Sequence, residues 1–519
     1  MENIIASNKL ISISLLFCII VQIIVTAEQF QSTFPYDDAY ITFRYSRNIA
    51  QGLDWVYNKN EITSGTTSFF NTILMAALND VTKIRIDIIG RILPLIFSIL
   101  STILIGLIIV EKIKSEILGS VVIIFYTFLP PIYTAILSGM ESNLFIFTIL
   151  CSIYFLFKKK YLTSSILSGL LVFIRPDGLI VTSFIALYLI YQFKTIGISK
   201  VLFFISIMCF IIAAFFAINI VFFNLLYPLS MKAKMITYDK SMWIQSRFST
   251  LRQLFQGRLA LLLLPLSFYS GFMALKMKDK DMILIFTILI TYVAVFTIVN
   301  PWLRPWYTSV TLSLLTILTA NGIFNLINKY FNEFSLMDFF YYKKRSIKWD
   351  ALKMKKSKYL LLSVTLIILY TSILFVNGYK NSFGMNRSEG FNAEVIGVGK
   401  YLKSFPLINE SKVYLGDIGY IGWITNAYII DYAGLVTPIA LKFSKYKESY
   451  SEGINLDWKK QLEFIKMENP EFIVESNLYP YYRAILSKCN YLKQKYNLVF
   501  QMNNMIVYKR IDGKLKTAD

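Results

Sequence analysis

"VLFFISIMCFIIAAFFAINIVFFNLLY", residues 201–227, carries no charged side chain. A helix needs ~20 apolar residues to cross a ~30 Å hydrocarbon layer, so this run decides the class of fold. "IDIIGRILPLIFSILSTILIGLIIV" (86–110) repeats the signal, with its charges confined to the first two turns. Across 519 residues the chain is 55% hydrophobic and only 16% charged, with a mean hydropathy of +0.54. Soluble domains carry ~25% charged residues. The composition implies a polytopic α-helical membrane protein whose first partner is the lipid bilayer.

Working outward from these runs, membrane-spanning helices are expected at 10–27, 86–110, 117–137, 141–157, 161–174, 177–193, 200–227, 259–275, 282–299, 305–327 and 359–377, about 11 in all. The first of these resembles a signal peptide, but its apolar core exceeds the usual length and favours an uncleaved span. Segment 67–79 is apolar but short, and an interfacial or half-inserted helix is expected there. Pro176 breaks "FIRPDG" (173–178), so 161–193 is read as two short helices meeting near the outer face, with Arg175 and Asp177 at their junction.

Charge sets the orientation. The net charge of +21 comes largely from short loops holding Lys112, Lys114, Lys158 to Lys160, Lys194, Lys200, Lys276, Lys278, Lys280 and the basic stretch 341–358. By the positive-inside rule that side is cytoplasmic. No basic stripe with interleaved aromatics lies elsewhere, so nucleic acid is not an expected partner. The opposite face receives residues 28–85, the turn "LSGME" (137–141), loop 228–258, "NPWLRPW" (300–306) and everything after 378.

Beyond 378 the pattern changes. "FNAEVIGVGKYLKSF" (391–405) reads as an amphipathic helix, "KVYLGD" (412–417) and "AYIID" (427–431) as short buried strands, and 457–476 as helix then strand. Two domains are expected: a membrane-embedded catalytic domain, 1–377, with a first outer loop at 28–85, and an extracytoplasmic mixed α/β domain, 378–519.

The chain has no histidine. Three of its four cysteines, Cys18, Cys151 and Cys209, fall in apolar spans and only Cys489 outside, so no disulfide framework is expected. Catalysis must rest on carboxylates, Lys, Arg, Tyr or a metal held by oxygen. Neither GxxxxGK[ST] nor GxGxxG occurs, and no nucleotide cofactor is expected.

The outer face concentrates the unusual polar residues. In "FPYDDAYITFRYSRN" (34–48), Asp37 and Asp38 follow Pro35 and open a helix on which Asp37, Tyr40 and Arg44 share a face. Two adjacent carboxylates do not both ionise cheaply without a cation. One role is a general base for an acceptor hydroxyl. The other is to hold a divalent cation such as Mg²⁺, Mn²⁺ or Ca²⁺, with Asp38 and Glu141 as the candidate ligands. Arg175, Lys232, Lys234 and Arg304 come from separate outward ends. Each alone reads as snorkelling; converging, they suit a phosphate. Trp302, Trp306 and Tyr307 read as interface-belt aromatics.

"DDAYITFRYSRNIAQGLDWVYN" with "TSGTTSFFNTILMA" resembles the first outer loop of membrane glycosyltransferases of GT-C architecture, such as the mycobacterial terminal arabinofuranosyltransferases. Protein O-mannosyltransferases and lipid A aminoarabinose transferases are more distantly similar. Shorter matches are "LSGMESNLF" (137–145), "SGLLVFIRPDGLIV" (168–181), "YPLSMKAK" (227–234) and "YLGDIGYIGWITNAYIIDYAGLVTP" (414–438). The resemblance implies a sugar donor on a polyprenyl phosphate, used on the non-cytoplasmic side of a bacterial inner membrane, and a first-loop Asp as base, often with a divalent cation. Carried over, Asp37 is the base, Asp38 and Glu141 bind metal or acceptor, Arg44 braces the carboxylates or binds phosphate, and Arg175, Lys232, Lys234 and Arg304 serve the lipid phosphate. Relatives often carry Arg-Tyr in the late loop, where this chain has Arg304-Pro305-Trp306.

The expected reaction is inverting transfer of a sugar to an envelope glycan, lipid or protein acceptor. A polymerase or ligase of lipid-linked oligosaccharide is the nearest alternative. A lipid-linked sugar transporter or flippase would place its polar residues near the midplane within inverted repeats. Here the acids lie outside the spans and no repeat is visible.

Overall fold

The computed structural model describes residues 9–30, 33–237, 258–299, 307–341, 387–443, 458–476 and 489–511. The expected span 359–377 and the boundary at 377 lie outside them. The membrane part runs through helices α1 (Lys9–Phe30), α2 (Asp37–Ala50), α3 (Phe69–Thr82), α4 (Ile86–Ile113), α5 (Glu116–Thr127), α6 (Pro130–Leu137), α7 (Ser142–Phe157), α8 (Tyr161–Ile174), α9 (Gly178–Tyr191), α10 (Phe193–Ile196), α11 (Ile198–Phe223), α12 (Leu229–Thr237), α13 (Arg258–Met277), α14 (Lys280–Val299) and α15 (Thr308–Tyr341). This is a multi-pass membrane protein. Among the described residues five helices are by themselves long and apolar enough to cross a membrane, or six with the α5–α6 pair taken as one span. The short apolar helices α7, α8 and α9 come in addition.

The expected single helix over 117–137 is bent by 54° between α5 and α6. Pro130 and Pro131 cause the bend, since neither offers an N–H to the preceding turn. The pair 161–193 is two helices, as expected, broken at Arg175-Pro176-Asp177. Helix α3 has 14 residues, about 21 Å long at 1.5 Å per residue and too short to span. One end of the bundle is tied by charge. Lys158 pairs with Glu111 at 2.7 Å, and Lys112 with Asp281, joining the ends of α4, α7 and α14. Helix α15 is central, with 72% of its apolar window buried, whereas α11, at 17%, lies at the periphery.

The C-terminal part, called the outer domain after the side on which the sequence places it, comprises α16 (Arg387–Lys403), β1 (Lys412–Leu415), α17 (Ile418–Thr425), β2 (Tyr428–Asp431), α18 (Trp458–Glu468), β3 (Phe472–Ser476), α19 (Asn490–Lys495), β4 (Tyr496–Met502) and β5 (Met505–Arg510). Its sheet has the order β2-β1-β3-β5-β4, parallel from β2 to β3 and antiparallel beyond. Val413 pairs with Ile429 on one side and Phe472 on the other. Both faces are covered, which is why these strands read as continuous apolar runs. One face, with Tyr414, Ile430 and Ile473, packs on Phe464 and Leu492. The other, with Val413, Ile429 and Val474, forms one core with Tyr40, Phe43 and Tyr57 of the first loop. Outer domain and first loop are therefore packed as a unit.

Candidate active site

Helix α2 starts directly after Pro35, with Asp37 and Asp38 in its first turn. The backbone N–H of Tyr36 donates to the Ser138 carbonyl at 3.0 Å. Gly139, at φ +72°, sits against Pro35, Ala39 and Phe43, where a side chain would collide. The turn carrying Glu141 is thereby fastened beneath the acidic pair. Glu141 is buried and acts electrostatically on Arg175.

Different faces of α2 do different work. Along the Asp37–Tyr40–Arg44–Arg47 face, every residue meets the outer domain. The two Asp37 carboxylate oxygens accept the N–H groups of Gly419 and Tyr420, each at 2.8 Å, in the first turn of α17. Tyr40 meets Tyr420 edge-on at 5.2 Å. Arg44 is buried; it donates to the carbonyls of Gly422 (2.9 Å) and Ala427 (2.8 Å) and lies over the Tyr57 ring. Arg47 donates to the Trp423 carbonyl and to Asn426 Oδ1, and stacks on Trp423. Beyond α2, Tyr57 donates to the Ile418 carbonyl at 2.5 Å, and Asn58 exchanges two 2.9 Å hydrogen bonds with the backbone of Ile429.

The Thr42–Tyr45 face meets "TSGTTS" (63–68) instead. Thr42 and Thr66 share a hydrogen bond at 3.2 Å, Tyr45 and Thr63 one at 2.7 Å, and the Gly65 N–H donates to the Tyr45 hydroxyl. Helix α12 also meets this loop: the Leu229 N–H donates to Ser64 Oγ at 2.8 Å. Asp38, four residues before Thr42 and seven before Tyr45, is in helical phase with this second face. Its half-buried carboxylate makes no hydrogen bond or ion pair among the described residues.

Burial among Phe34, Pro35, Tyr40 and Tyr420 pushes the Asp37 carboxyl up to about 6; the two N–H donors oppose the rise and the Asp38 charge adds to it. Asp431 is likewise raised to about 6 by burial, against the backbone N–H groups of Ala433, Leu435 and Val436 that donate to its carboxylate.

The expected cations divide. Arg175, expected to meet a phosphate, spends its guanidinium on Asp177 through bonds of 3.0 and 2.8 Å, with Ser142 and Tyr292 at 3.4 Å and the Tyr307 ring 4.0 Å away. Tyr292 also donates to Asp177. A buried ion pair across the Pro176 break locks the ends of α8 and α9 to α14. Tyr307 packs on this pair. Arg44, expected to brace the carboxylates or bind phosphate, turns to backbone carbonyls 378 and 383 residues away. Lys232 stands on α12, half-buried, with no ion pair among the described residues. The Lys234 side chain, Arg304, Trp302 and Trp306 lie outside the described residues. Among the described residues no group of three acids stands close enough to hold a metal. No step below is routed through a cation.

If Arg175 is structural, Arg175→Ala leaves the half-buried Asp177 without its cation and costs at most about 3–5 kcal/mol. Arg175→Ala with Asp177→Ala together should restore most of the thermal stability in detergent, and donor turnover with it. A double variant that is stable yet inactive would return Arg175 to the substrate.

Sequence reasoning missed the partners that the outer domain supplies to α2. One signal was present: the glycines of "GDIGYIG" (416–422). A side chain at Gly419 would overlap the Asp37 backbone, and one at Gly422 the Tyr57 hydroxyl. These glycines let α17 lie against α2.

The fold has solved counterparts. ArnT from Cupriavidus metallidurans bound to undecaprenyl phosphate aligns with a TM-score of 0.63 at 11% identity, over 96% of this chain and 98% of that one. Its apo state gives 0.61 at 11% identity, over 97% and 98%. The Archaeoglobus fulgidus oligosaccharyltransferase, in a complex with zinc and sulfate, gives 0.56 at 12% identity, over 96% of this chain and 73% of that one. The chain therefore shares the fold of these proteins, the architecture expected from its first loop. Residues 388–513, the outer domain, match a family described as a domain of unknown function, DUF8728. No curated protein matches in sequence.

Proposed function

We propose that this protein is a glycosyltransferase that moves a sugar from a polyprenyl phosphate to an acceptor hydroxyl, with inversion, on the extracytoplasmic face of a bacterial inner membrane. The observation that carries it is the acidic pair at the start of α2, held at the junction of first loop, outer domain and the 138–141 turn within an ArnT-like fold. One carboxylate of the pair removes the acceptor's proton. The acceptor oxygen attacks the anomeric carbon from the face opposite the phosphate, and polyprenyl phosphate departs into the bilayer. Lys232, standing on the same outer face without a partner, is the described cation suited to the phosphate as its charge develops. Positioning and fixed charge supply most of the rate.

The acceptor is an envelope glycan, lipid or protein. A second reading, transfer of a lipid-linked oligosaccharide, is favoured by the likeness to an oligosaccharyltransferase. Both are tested with purified protein and polyprenyl phosphates bearing glucose, mannose, galactose or arabinose, alongside mass spectrometry of envelope glycans with and without the gene. Release of polyprenyl phosphate from one of the four, with loss of one sugar residue from a glycan in the deletion strain, is the expected result. Loss of whole repeat units would favour the second reading. Accumulation of unused lipid-linked sugar on the cytoplasmic leaflet would point to transport instead.

A further inference from the structure

The two adjacent acids have separate surroundings, and that separation divides their labour. Both oxygens of Asp37 are engaged by backbone N–H groups of the outer domain, on the α2 face given over to docking. The hollow beside it, about 10 Å³ and lined mostly by apolar groups, has room for little more than a water molecule. Asp38 lies in phase with the other set of contacts: the hydroxyl-bearing loop 63–68, which also receives α12, the helix that carries Lys232. Two buried hydroxyls there, Ser68 and Ser230, also lack hydrogen-bond partners among the described residues. Unpaired buried hydroxyls are costly in a folded protein, and a polar ligand would account for them.

We propose that Asp38 is the catalytic base and Asp37 a positioning residue. The substrate lies between Asp38, loop 63–68 and Lys232, and its recognised features are a phosphate and sugar hydroxyls. Asp38 takes the acceptor's hydroxyl proton as the new bond from that oxygen to the anomeric carbon forms. The bond from that carbon to the phosphate oxygen breaks, and its electron pair leaves with the polyprenyl phosphate. The protonated Asp38 then returns its proton to water. Asp37, through α17, fixes the angle at which α2 presents Asp38. This assignment rests on the transferase function proposed above.

The test uses the full-length protein and whichever of the four polyprenyl phosphate sugars it turns over. Asp38→Asn should lower kcat by about 10²–10⁴-fold, the usual contribution of a general base, with KM for the donor little changed. Asp37→Asn keeps one acceptor oxygen for α17 and should lower kcat by about tenfold only. Formate should restore turnover to Asp38→Ala and not to Asp37→Ala, a comparison that holds even if both variants are weak. Formate rescue of Asp37→Ala alone would overturn the assignment while leaving the transferase intact. Normal turnover in both Asn variants would overturn the transferase mechanism itself.

Discussion

Gly419→Val is expected to abolish transfer in a protein that still inserts in the membrane. Any Cβ at this position would coincide with the Asp37 backbone carbonyl. A backbone group cannot swing aside as a side-chain end can, so α17 must retreat from α2. Both hydrogen bonds to Asp37 are lost with it, and a displacement of ~1 Å at a reacting group can cost about 10²-fold in rate. The measurement is donor turnover together with limited proteolysis in intact membranes. Turnover should fall at least about 10²-fold, and new cleavage should appear between the outer domain and the first loop. Gly422→Ala makes a useful comparison, because its Cβ meets the ends of Tyr57 and Arg44 and so should lose less. Wild-type turnover in Gly419→Val would mean that the outer domain does not position the acids.

Arg44→Met should detach the outer domain by a second route. The guanidinium makes two charge-assisted bonds, and hydrogen bonds to charged groups contribute ~1.5–3 kcal/mol each. Loss of both is expected to weaken docking by about 3–6 kcal/mol. The Ala427 carbonyl would lose its donor, and the Gly422 carbonyl would keep only the Asn426 N–H. Arg44→Lys should not rescue it, because an ammonium cannot reproduce the planar fork that bridges two carbonyls. The readout is the melting temperature in detergent and protease sensitivity of the outer domain, with donor KM as a control. A selective rise in KM with unchanged stability would instead assign Arg44 to phosphate binding.

How much of this was legible in the sequence follows from the range of the interactions. The helix over 37–50, the break at Pro176 and the strands at 412–417 and 427–431 are local, set by proline, by first-turn acids and by runs of apolar residues. Those readings match the observed elements. The α5–α6 bend was within reach too, since Pro130-Pro131 marks it, but the continuous apolar character of 117–137 suggested one helix. Arg175 and Asp177 were placed correctly at a junction. Their mutual pairing was not read, because two charges in i and i+2 positions meet only where a helix is broken. Least legible was the use of Asp37 and Arg44. Their partners are backbone groups of residues 419–427, and main-chain N–H and C=O groups leave no trace in residue type. Only the glycines that permit the approach do so.

The bonds between first loop and outer domain join residues 361 to 383 apart. A ribosome making ~5–20 residues per second needs about 20–80 s to cover that stretch. Throughout that interval the loop's aromatic residues, Tyr40, Phe43 and Tyr57 among them, are already made while the sheet that will cover them is not. Biogenesis therefore passes through a state in which an unfinished, sticky surface waits at the membrane, so shielding by chaperones or slower insertion should govern yield more than the final stability does.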